Sequence, residues 1–494
     1  MKSFIALGAL SSFLQMSVST LSGFVLSFFV VRDLGHVDTG IWFLYLSVFT
    51  FMTFCDFGLG PSLSREIGFA SYKVQPKYRL ENLYSTVFSL VQVIAFFAIF
   101  LLASLYAYII HSFPRTSGHL TAFSLSFVFF SISILLRLQC NPHLSLMYGM
   151  KNVSTAKLFE MAGVLIGLVL AILFLFLGAG LLGLSIAYLL RYAFLFIVSY
   201  CYSKRVYRAR LRLRVNKAVF YRIYPVCIQW SIMSLGTMLI FQAAPLLLFR
   251  LSGPSSVTAF SVISMLVTGV LMVSSVMAQP LIPMVSHFKG QGNFEKIHEL
   301  FSWGLKYSLL TAVFLCVIIF VCQKSIAQVW LGELRFQPVA LSLMLITGLL
   351  EVNHVFCAQM VMAYGYVKFG LVALISGAIN LVLSYFFIVK FGVVGAALGI
   401  VISQLLTNNW YAVFVSVSKL RYSFRRYFLI FFQCASCFLF QILVLNKAGD
   451  VFSFPILNIL LVSALSLILT LLFTLFGRAE RRYLYNALLR LRLI

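Results

Sequence analysis

Apolar runs long enough to cross a bilayer recur along the whole chain and are separated by short polar gaps. A membrane-spanning helix needs about 20 consecutive apolar residues, and the pattern predicts about fourteen such helices. The predicted spans are 10–32, 41–63, 83–110, 121–147, 158–178, 182–203, 224–250, 257–284, 302–323, 339–363, 369–390, 395–417, 427–446 and 455–477. We expect the first span to be retained rather than cleaved. No gap is long enough for a folded soluble domain, so the sequence predicts an all-α polytopic membrane protein.

The composition agrees with this pattern and explains the basic net charge. Of the 494 residues, 62% are hydrophobic and 10% are charged, whereas soluble domains carry about 25% charged residues. The net charge of +25 would suggest nucleic acid in a soluble protein. Here most basic residues fall in alternate loops, with eight of them in 204–222 and five arginines after residue 477. The positive-inside rule then places both termini in the cytoplasm and excludes nucleic acid as the reason for the charge. The arginine-rich tail is either a helix that lies on the membrane lipids or an additional charge cluster that stops transfer.

Two internal similarities predict a duplicated architecture. Arg32 precedes Gly35 at the end of span one, and Arg250 precedes Gly253 in the same way at the end of span seven. The fifth and sixth spans resemble the eleventh and twelfth at a similar offset. Such repeats are typical of transporters built from two related halves. The predicted domains are an N-terminal six-helix half (1–203), a basic linker (204–222), a C-terminal six-helix half (223–418), and two extra helices with a basic tail (419–494).

Charged residues deep in the predicted spans are the candidates for function, because a charge in hydrocarbon costs several kcal/mol unless it meets water or a partner. Arg137 and Arg191 lie well inside spans four and six, and guanidinium groups bind phosphate oxygens in pairs. Asp56 lies in the inner half of span two. Glu351 and His354 share one face of span ten. For each, a structural pair, a helix-end contact or a satisfied core histidine remains the alternative.

Features of an enzyme or a metalloprotein are weak in this sequence. Cys434 and Cys437 form a CxxC pattern, but it lies within a predicted span with no histidine nearby. We therefore expect no metal site and no cofactor. A membrane-embedded glycosyltransferase or ligase would need an acidic site and a long outer loop, and the sequence predicts neither, so we expect a protein that is not an enzyme.

Four segments carry a resemblance to a known family. They are 32–67, with Gly40, Trp42 and the motif from Asp56 to Gly60, and then 278–297, 329–332 and 391–406. In this order and spacing they are similar to the polysaccharide-transporter family of the multidrug/oligosaccharidyl-lipid/polysaccharide exporter superfamily, which includes O-antigen flippases. O-antigen flippases usually have two spans fewer, whereas lipid II flippases have the same number, so the glycan stays open.

The resemblance implies two six-helix bundles around a central cavity, with alternating access and two additional C-terminal helices. It implies transport of undecaprenyl-pyrophosphate-linked oligosaccharide across the bacterial inner membrane, for O-antigen of lipopolysaccharide or another surface polysaccharide. Arg137 and Arg191, with Arg32 and Arg250, would hold the pyrophosphate, and Asp56, Glu351 and His354 would serve the cavity or ion coupling. The implied partners are the lipid-linked oligosaccharide, a proton or sodium ion, and polysaccharide assembly proteins. An ion-coupled multidrug or cation antiporter of the same superfamily is the alternative.

Overall fold

The computed structural model describes residues 2–54, 56–72, 77–110, 119–207, 213–276, 278–332, 335–366, 368–446, 448 and 451–475. Within these ranges the chain forms nineteen α-helices and no β-strand. The arginine-rich tail after residue 477 and part of the basic linker, 208–212, lie outside the described residues. The all-α fold class is confirmed.

Packing divides the chain into two compact units. The first comprises Met1–Thr258 together with Ala373–Leu381, and the second comprises Ala259–Val372 together with Val382–Ile494. The helices up to the end of the first continuous segment are α1 (Lys2–Asp33), α2 (Gly35–Phe54), α3 (Leu59–Tyr72), α4 (Lys77–Ile110), α5 (His119–Gly149), α6 (Val153–Phe176), α7 (Gly180–Tyr207), α8 (Lys217–Phe241) and α9 (Ala243–Ser252). The helices that follow are α10 (Pro254–Ser275), α11 (Leu281–Gly290), α12 (Phe294–Val321), α13 (Gln323–Trp330), α14 (Pro338–Ala363), α15 (Gly370–Phe391), α16 (Val393–Leu406), α17 (Asn408–Lys419), α18 (Phe424–Leu445) and α19 (Pro455–Leu475).

Thirteen stretches of helix in the described part of the chain are long and apolar enough to cross a membrane. Each overlaps one predicted span, and two of them join consecutive helices, α8 with α9 and α16 with α17. The remaining predicted span, 41–63, corresponds to α2 and the start of α3, which a break separates. The protein is therefore a multi-pass membrane protein. The duplication and the four domain boundaries stay predictions.

Aromatic side chains of α2, α5 and α7 fill the centre of the first unit. The ring of Trp42 lies 5.7 Å from that of Phe130 and 5.0 Å from that of Tyr188, measured between ring centres. Tyr45 is fully buried, and its hydroxyl lies 2.9 Å from the Ser126 hydroxyl, which satisfies the polar end of the ring. This edge-to-face packing fixes α7 against α2 and α5, and so fixes the position of the arginine one turn further along α7.

Two consecutive helices of the first unit, α8 and α9, form a single span with a break at Gln242. Pro245 lies in the first turn of α9 and has no N–H with which to continue the helical hydrogen bonds. The Asn380 side-chain amide donates to the carbonyls of Leu239 and Ile240, at 2.9 and 3.0 Å. Asn380 belongs to the segment of α15 that packs within this unit. A side chain from a distant part of the sequence thus satisfies the carbonyls at the break.

The same pair of elements approaches closely at two glycines. A Cβ atom at Gly236 of α8 would lie 2.3 Å from the carbonyl carbon of Ala373, and one at Gly377 would lie 2.7 Å from the carbonyl oxygen of Gly236. Real atoms do not approach so closely, so only glycine fits at these positions. Small residues let the backbones of membrane helices touch, which increases their dispersion contacts.

Candidate functional site

The break between α2 and α3 is built around Asp56. Its carboxylate oxygen Oδ1 accepts a hydrogen bond of 2.9 Å from the Gly58 N–H, as in the turns that aspartate commonly forms. Phe57 and Gly58 both have positive φ, 51° and 70°. A Cβ atom at Gly58 would lie 2.5 Å from the Cβ of Trp230 on α8. Glycine is therefore required there by both its conformation and the space available, and the break turns the Asp56 side chain toward α5.

Asn141 links Asp56 to a half-buried arginine. The Arg137 guanidinium donates to the Asn141 side-chain oxygen one turn along α5, and the Asn141 amide donates to Asp56 Oδ2 at 3.3 Å. The positive and negative groups are thus joined through a neutral amide. Both charged residues are recognisable in the sequence by their depth in the spans, whereas Asn141 was missed; its signal was its position four residues after Arg137 on one helix face.

Arg191 of α7 lies between two aromatic rings. Its guanidinium carbon is 5.4 Å from the centre of the Tyr188 ring and 5.0 Å from that of Tyr192, close enough for cation–π attraction. Its aliphatic stem packs against Gly167 of α6, where an added Cβ would lie 2.9 Å from the Arg191 Cδ. The arginine is half-buried and borders a cavity of about 290 Å³. Hydroxyl-bearing residues of α1 and α2 also line this cavity: Ser19, Ser22 and Thr50.

The other predicted arginines lie elsewhere in the first unit. Arg32 and Arg250 are exposed in the last turns of α1 and α9. The Arg32 guanidinium lies 4.2 Å from the centre of the Phe28 ring. Among the described lining residues of the cavity, Arg191 is the one predicted arginine. Arg137 belongs instead to the hydrogen-bonded group of Asp56, Asn141 and Arg137, which we call the Asp56 network.

Glu351 and His354 contact the two sides of another helix break, in the second unit. Glu351 is 7% exposed, and its Oε2 accepts from the Gln404 side-chain amide of α16 at 3.1 Å. The His354 Nδ1 donates to the carbonyl of Asn408, at the start of α17, over 3.1 Å. Thr407 separates α16 from α17 with φ −131° and ψ −80°. The predicted common face of the two residues therefore lies against a discontinuous helix, a feature that lines ion sites in many transporters.

The side chains around Asp56, Arg191 and Glu351 can bind a ligand or take up and release a proton or another ion. Within the described ranges, no group of three or more histidine, cysteine, aspartate or glutamate residues could hold a metal ion. Cys434 and Cys437 are both buried in α18, and the amide of Gln441 donates to Cys437 Sγ at 3.1 Å. The side-chain amide of Gln404 donates to the buried Glu351 carboxylate. The oxygen of the same amide, Oε1, has no hydrogen-bond partner among the described residues.

Comparison with known proteins gives two family matches. The family described as polysaccharide biosynthesis protein matches residues 5–289, and the family described as MatE matches residues 230–386. A comparison with curated proteins found no significant match.

Several solved membrane transporters share this fold. The lipid II flippase MurJ in an inward closed conformation is 13% identical, with 95% of this chain and 98% of that chain covered and a TM-score of 0.71. An inward-facing MATE family multidrug resistance transporter of the MOP superfamily is 16% identical over 83% of this chain and 98% of that chain, with a TM-score of 0.66. A MOP superfamily transporter from Pyrococcus furiosus is 17% identical over 85% of this chain and 97% of that chain, with a TM-score of 0.59. Identities this low establish a common fold and nothing about the cargo.

Proposed function

We propose that this chain, which belongs to the polysaccharide biosynthesis protein family, is a flippase for undecaprenyl-pyrophosphate-linked oligosaccharide. The cargo moves from the inner to the outer face of the bacterial inner membrane by alternating access, with both termini of the protein in the cytoplasm. The lipid II flippase and the two transporters compared above share this fold, and we assign no covalent chemistry to this chain. The glycan is an O-antigen or another surface polysaccharide unit.

The environment of Arg191 is the observation that carries this proposal. A cation held on two tyrosine rings, beside serine and threonine hydroxyls, attracts an anionic group and repels a cationic drug. Ligand pockets commonly measure about 300–1,000 Å³, so the cavity of about 290 Å³ suits a pyrophosphate but not a whole oligosaccharide. Arg191 therefore serves as the contact for the pyrophosphate, and the sugars occupy space outside this cavity.

The Asp56 network supplies a second part of the mechanism. Arg137 binds the pyrophosphate when the Asn141 link to Asp56 opens, and Asp56 compensates the charge of the guanidinium when no substrate is bound. A charged side chain left without compensation in a membrane span costs several kcal/mol. Exchange of Asp56 for substrate phosphate avoids that cost. Arg32 and Arg250, exposed at helix ends, contact the pyrophosphate as it leaves.

An ion-coupled antiporter is the second candidate, and Glu351 is the observation that favours it. This buried acid, with His354 beside it, lies within the segment that matches the MatE family. A buried carboxylate in a membrane helix can carry a proton or bind sodium. In the flippase, the same pair would couple transport to a proton or sodium gradient. In the antiporter, it would exchange that ion for an organic cation.

The sidedness of the lipid-linked glycan in cells distinguishes the two functions. Cells lacking the protein should accumulate the intermediate on the cytoplasmic face and lose surface polysaccharide. Wild-type protein should restore the glycan and Arg191→Ala should not, whereas Arg191→Lys, which keeps the charge but loses the paired hydrogen bonds, should restore it in part. Full surface glycan with Arg191→Ala at normal protein level would refute the assigned role. An unchanged glycan in the deletion strain, with altered drug or cation sensitivity, would establish the antiporter.

A further inference from the structure

A larger cavity, of about 760 Å³, lies within the second unit and has a lining that includes neither Glu351 nor His354. Its walls are α13, the chain that leads into α14, and the beginning of α19. We call it the α13–α19 pocket. Its lining includes the side chains of Lys324, Gln328, Arg335, Phe452 and Asn458.

Asn458 holds the walls of the α13–α19 pocket in place. Its Oδ1 accepts from the Phe452 N–H at 2.7 Å, and its Nδ2 donates to the Phe452 carbonyl at 2.9 Å. The same Nδ2 lies 3.5 Å from the Ser325 hydroxyl of α13. Asn458 is 3% exposed, so these hydrogen bonds are shielded from water. The segment before α19 is thereby fixed to α13, so hydrogen bonds between the two walls define the shape of the pocket.

Among the described lining residues, two cations occur together with amide and aromatic groups. Lys324 and Gln328 lie one turn apart on α13 and are both exposed, and Arg335 is exposed just before α14. Ala327, which lies between Lys324 and Gln328 in the sequence and also lines the pocket, is buried. Cations bind carboxylate or phosphate oxygens through charge-assisted hydrogen bonds. Amides form hydrogen bonds with hydroxyl groups, and an exposed ring such as that of Phe452 can pack against the apolar face of a sugar.

The predicted topology places this pocket on the extracytoplasmic side. Lys289 lies in the last turn of α11 and Lys296 near the start of α12. The positive-inside rule assigns both lysines to a cytoplasmic loop. The span formed by α12 therefore ends at the outer face, where α13 begins. The cavity is also of ordinary size for a ligand site, since such sites measure about 300–1,000 Å³.

We propose that the α13–α19 pocket binds an anionic saccharide, a sugar unit that carries a carboxylate or phosphate, on the outer face of the membrane. This inference rests on the proposed function and deepens it, because it assigns the transported glycan an acidic unit. Lys324 and Arg335 bind the acid group, Gln328 binds hydroxyls, and the segment held by Asn458 closes the far wall. The pocket holds the glycan after the pyrophosphate has reached the outer leaflet.

Titration calorimetry on the full-length protein in detergent tests this proposal, with trigalacturonate as the acidic probe and maltotriose as the neutral one. The double variant Lys324→Gln with Arg335→Gln should bind trigalacturonate about tenfold or more weakly than the wild type, because it loses two charge-assisted contacts. Gln328→Trp fills the pocket without changing its charge and should also weaken binding. Lys390→Gln is the matched control, since Lys390 is an exposed lysine at the end of α15 and is not among the lining residues.

Each outcome decides for or against the α13–α19 pocket as a saccharide site. Loss of binding in the double variant, with maltotriose silent and Lys390→Gln unchanged, supports the proposal. No binding of trigalacturonate to the wild type, equal binding of maltotriose, or an unaffected double variant overturns it. Short-chain phosphatidylglycerol that displaces trigalacturonate at equal concentration would identify a lipid headgroup site and also overturn it. Calorimetry requires no transport, so this test and the glycan sidedness test can fail independently.

Discussion

Gly167→Ala tests the assigned role of Arg191 without altering any charged residue. The new methyl group would lie 2.9 Å from the Arg191 Cδ and 3.1 Å from its Cβ, whereas carbon atoms pack at about 3.5–4.0 Å. The arginine stem must therefore move by roughly 0.6 Å or more. One turn earlier on the same helix, Gly163→Ala places its methyl group no nearer than 3.7 Å to any atom outside its own helix turn, which is ordinary contact. The two substitutions are chemically identical and differ only in whether they displace Arg191.

The expected effect of Gly167→Ala follows from the rotamer strain. Forcing a side chain off its preferred rotamer costs about 0.5–1.5 kcal/mol, which corresponds to a flipping rate lower by about 2- to 12-fold if Arg191 contacts the cargo during transport. Alanine is favoured over glycine within a helix by about 1 kcal/mol, so neither variant should lower the thermal stability much. Loss of rate in Gly167→Ala is then not a consequence of unfolding.

Proteoliposomes loaded with a fluorescent undecaprenyl-pyrophosphate oligosaccharide provide the assay for this pair of variants. The rate at which labelled glycan becomes accessible to a quencher outside the vesicle measures flipping. Gly163→Ala should match the wild type and Gly167→Ala should be slower, with equal amounts of reconstituted protein. Equal rates for the two variants would refute the reasoning that links the position of Arg191 to transport.

Three other substitutions test separate parts of the structure. Asp56→Asn retains an acceptor for the Gly58 N–H but removes the charge; flipping should be lost at an unchanged protein level, as measured by immunoblot and glycan sidedness, and normal transport would exclude Asp56 from the mechanism. Gly236→Ala should lower the unfolding temperature in detergent, because overpacking costs about 1–3 kcal/mol, while Gly290→Ala, with no atom within 4 Å, should leave it unchanged. Glu351→Gln should make flipping insensitive to ionophores that collapse the proton or sodium gradient, and sensitivity equal to that of the wild type would remove Glu351 from coupling.

The spans could be predicted from the sequence because helices that face lipid need long apolar runs, and such runs are visible in the sequence itself. The second span was the exception, since the break at Asp56 shortens its apolar helix and local backbone geometry at Phe57 decides where α3 begins. The interior break at Thr407 coincides with three consecutive polar residues, Thr407, Asn408 and Asn409. Polar residues within a span also serve packing between helices, so this pattern alone does not predict a break.

The candidate site could be predicted only as a set of charged residues without partners. Depth in the membrane marks Arg137 and Asp56 as costly, but their connection runs through Asn141, and neutral amides are common in membrane helices for packing alone. The fit of Gly167 to the Arg191 stem depends on how α6 and α7 pack, which no local pattern records.

The Asn380 contacts at the α8–α9 break impose an order on biogenesis. Until residue 380 has left the ribosome and entered the bilayer, the Leu239 and Ile240 carbonyls lack the amide that satisfies them in the finished protein. An unsatisfied carbonyl in hydrocarbon costs several kcal/mol, so the seventh span should stay beside the insertion machinery or in contact with water while the next three spans are synthesised. Its release into lipid becomes a late, cooperative event, and a chain truncated before α15 should be a preferred substrate for membrane quality-control proteases.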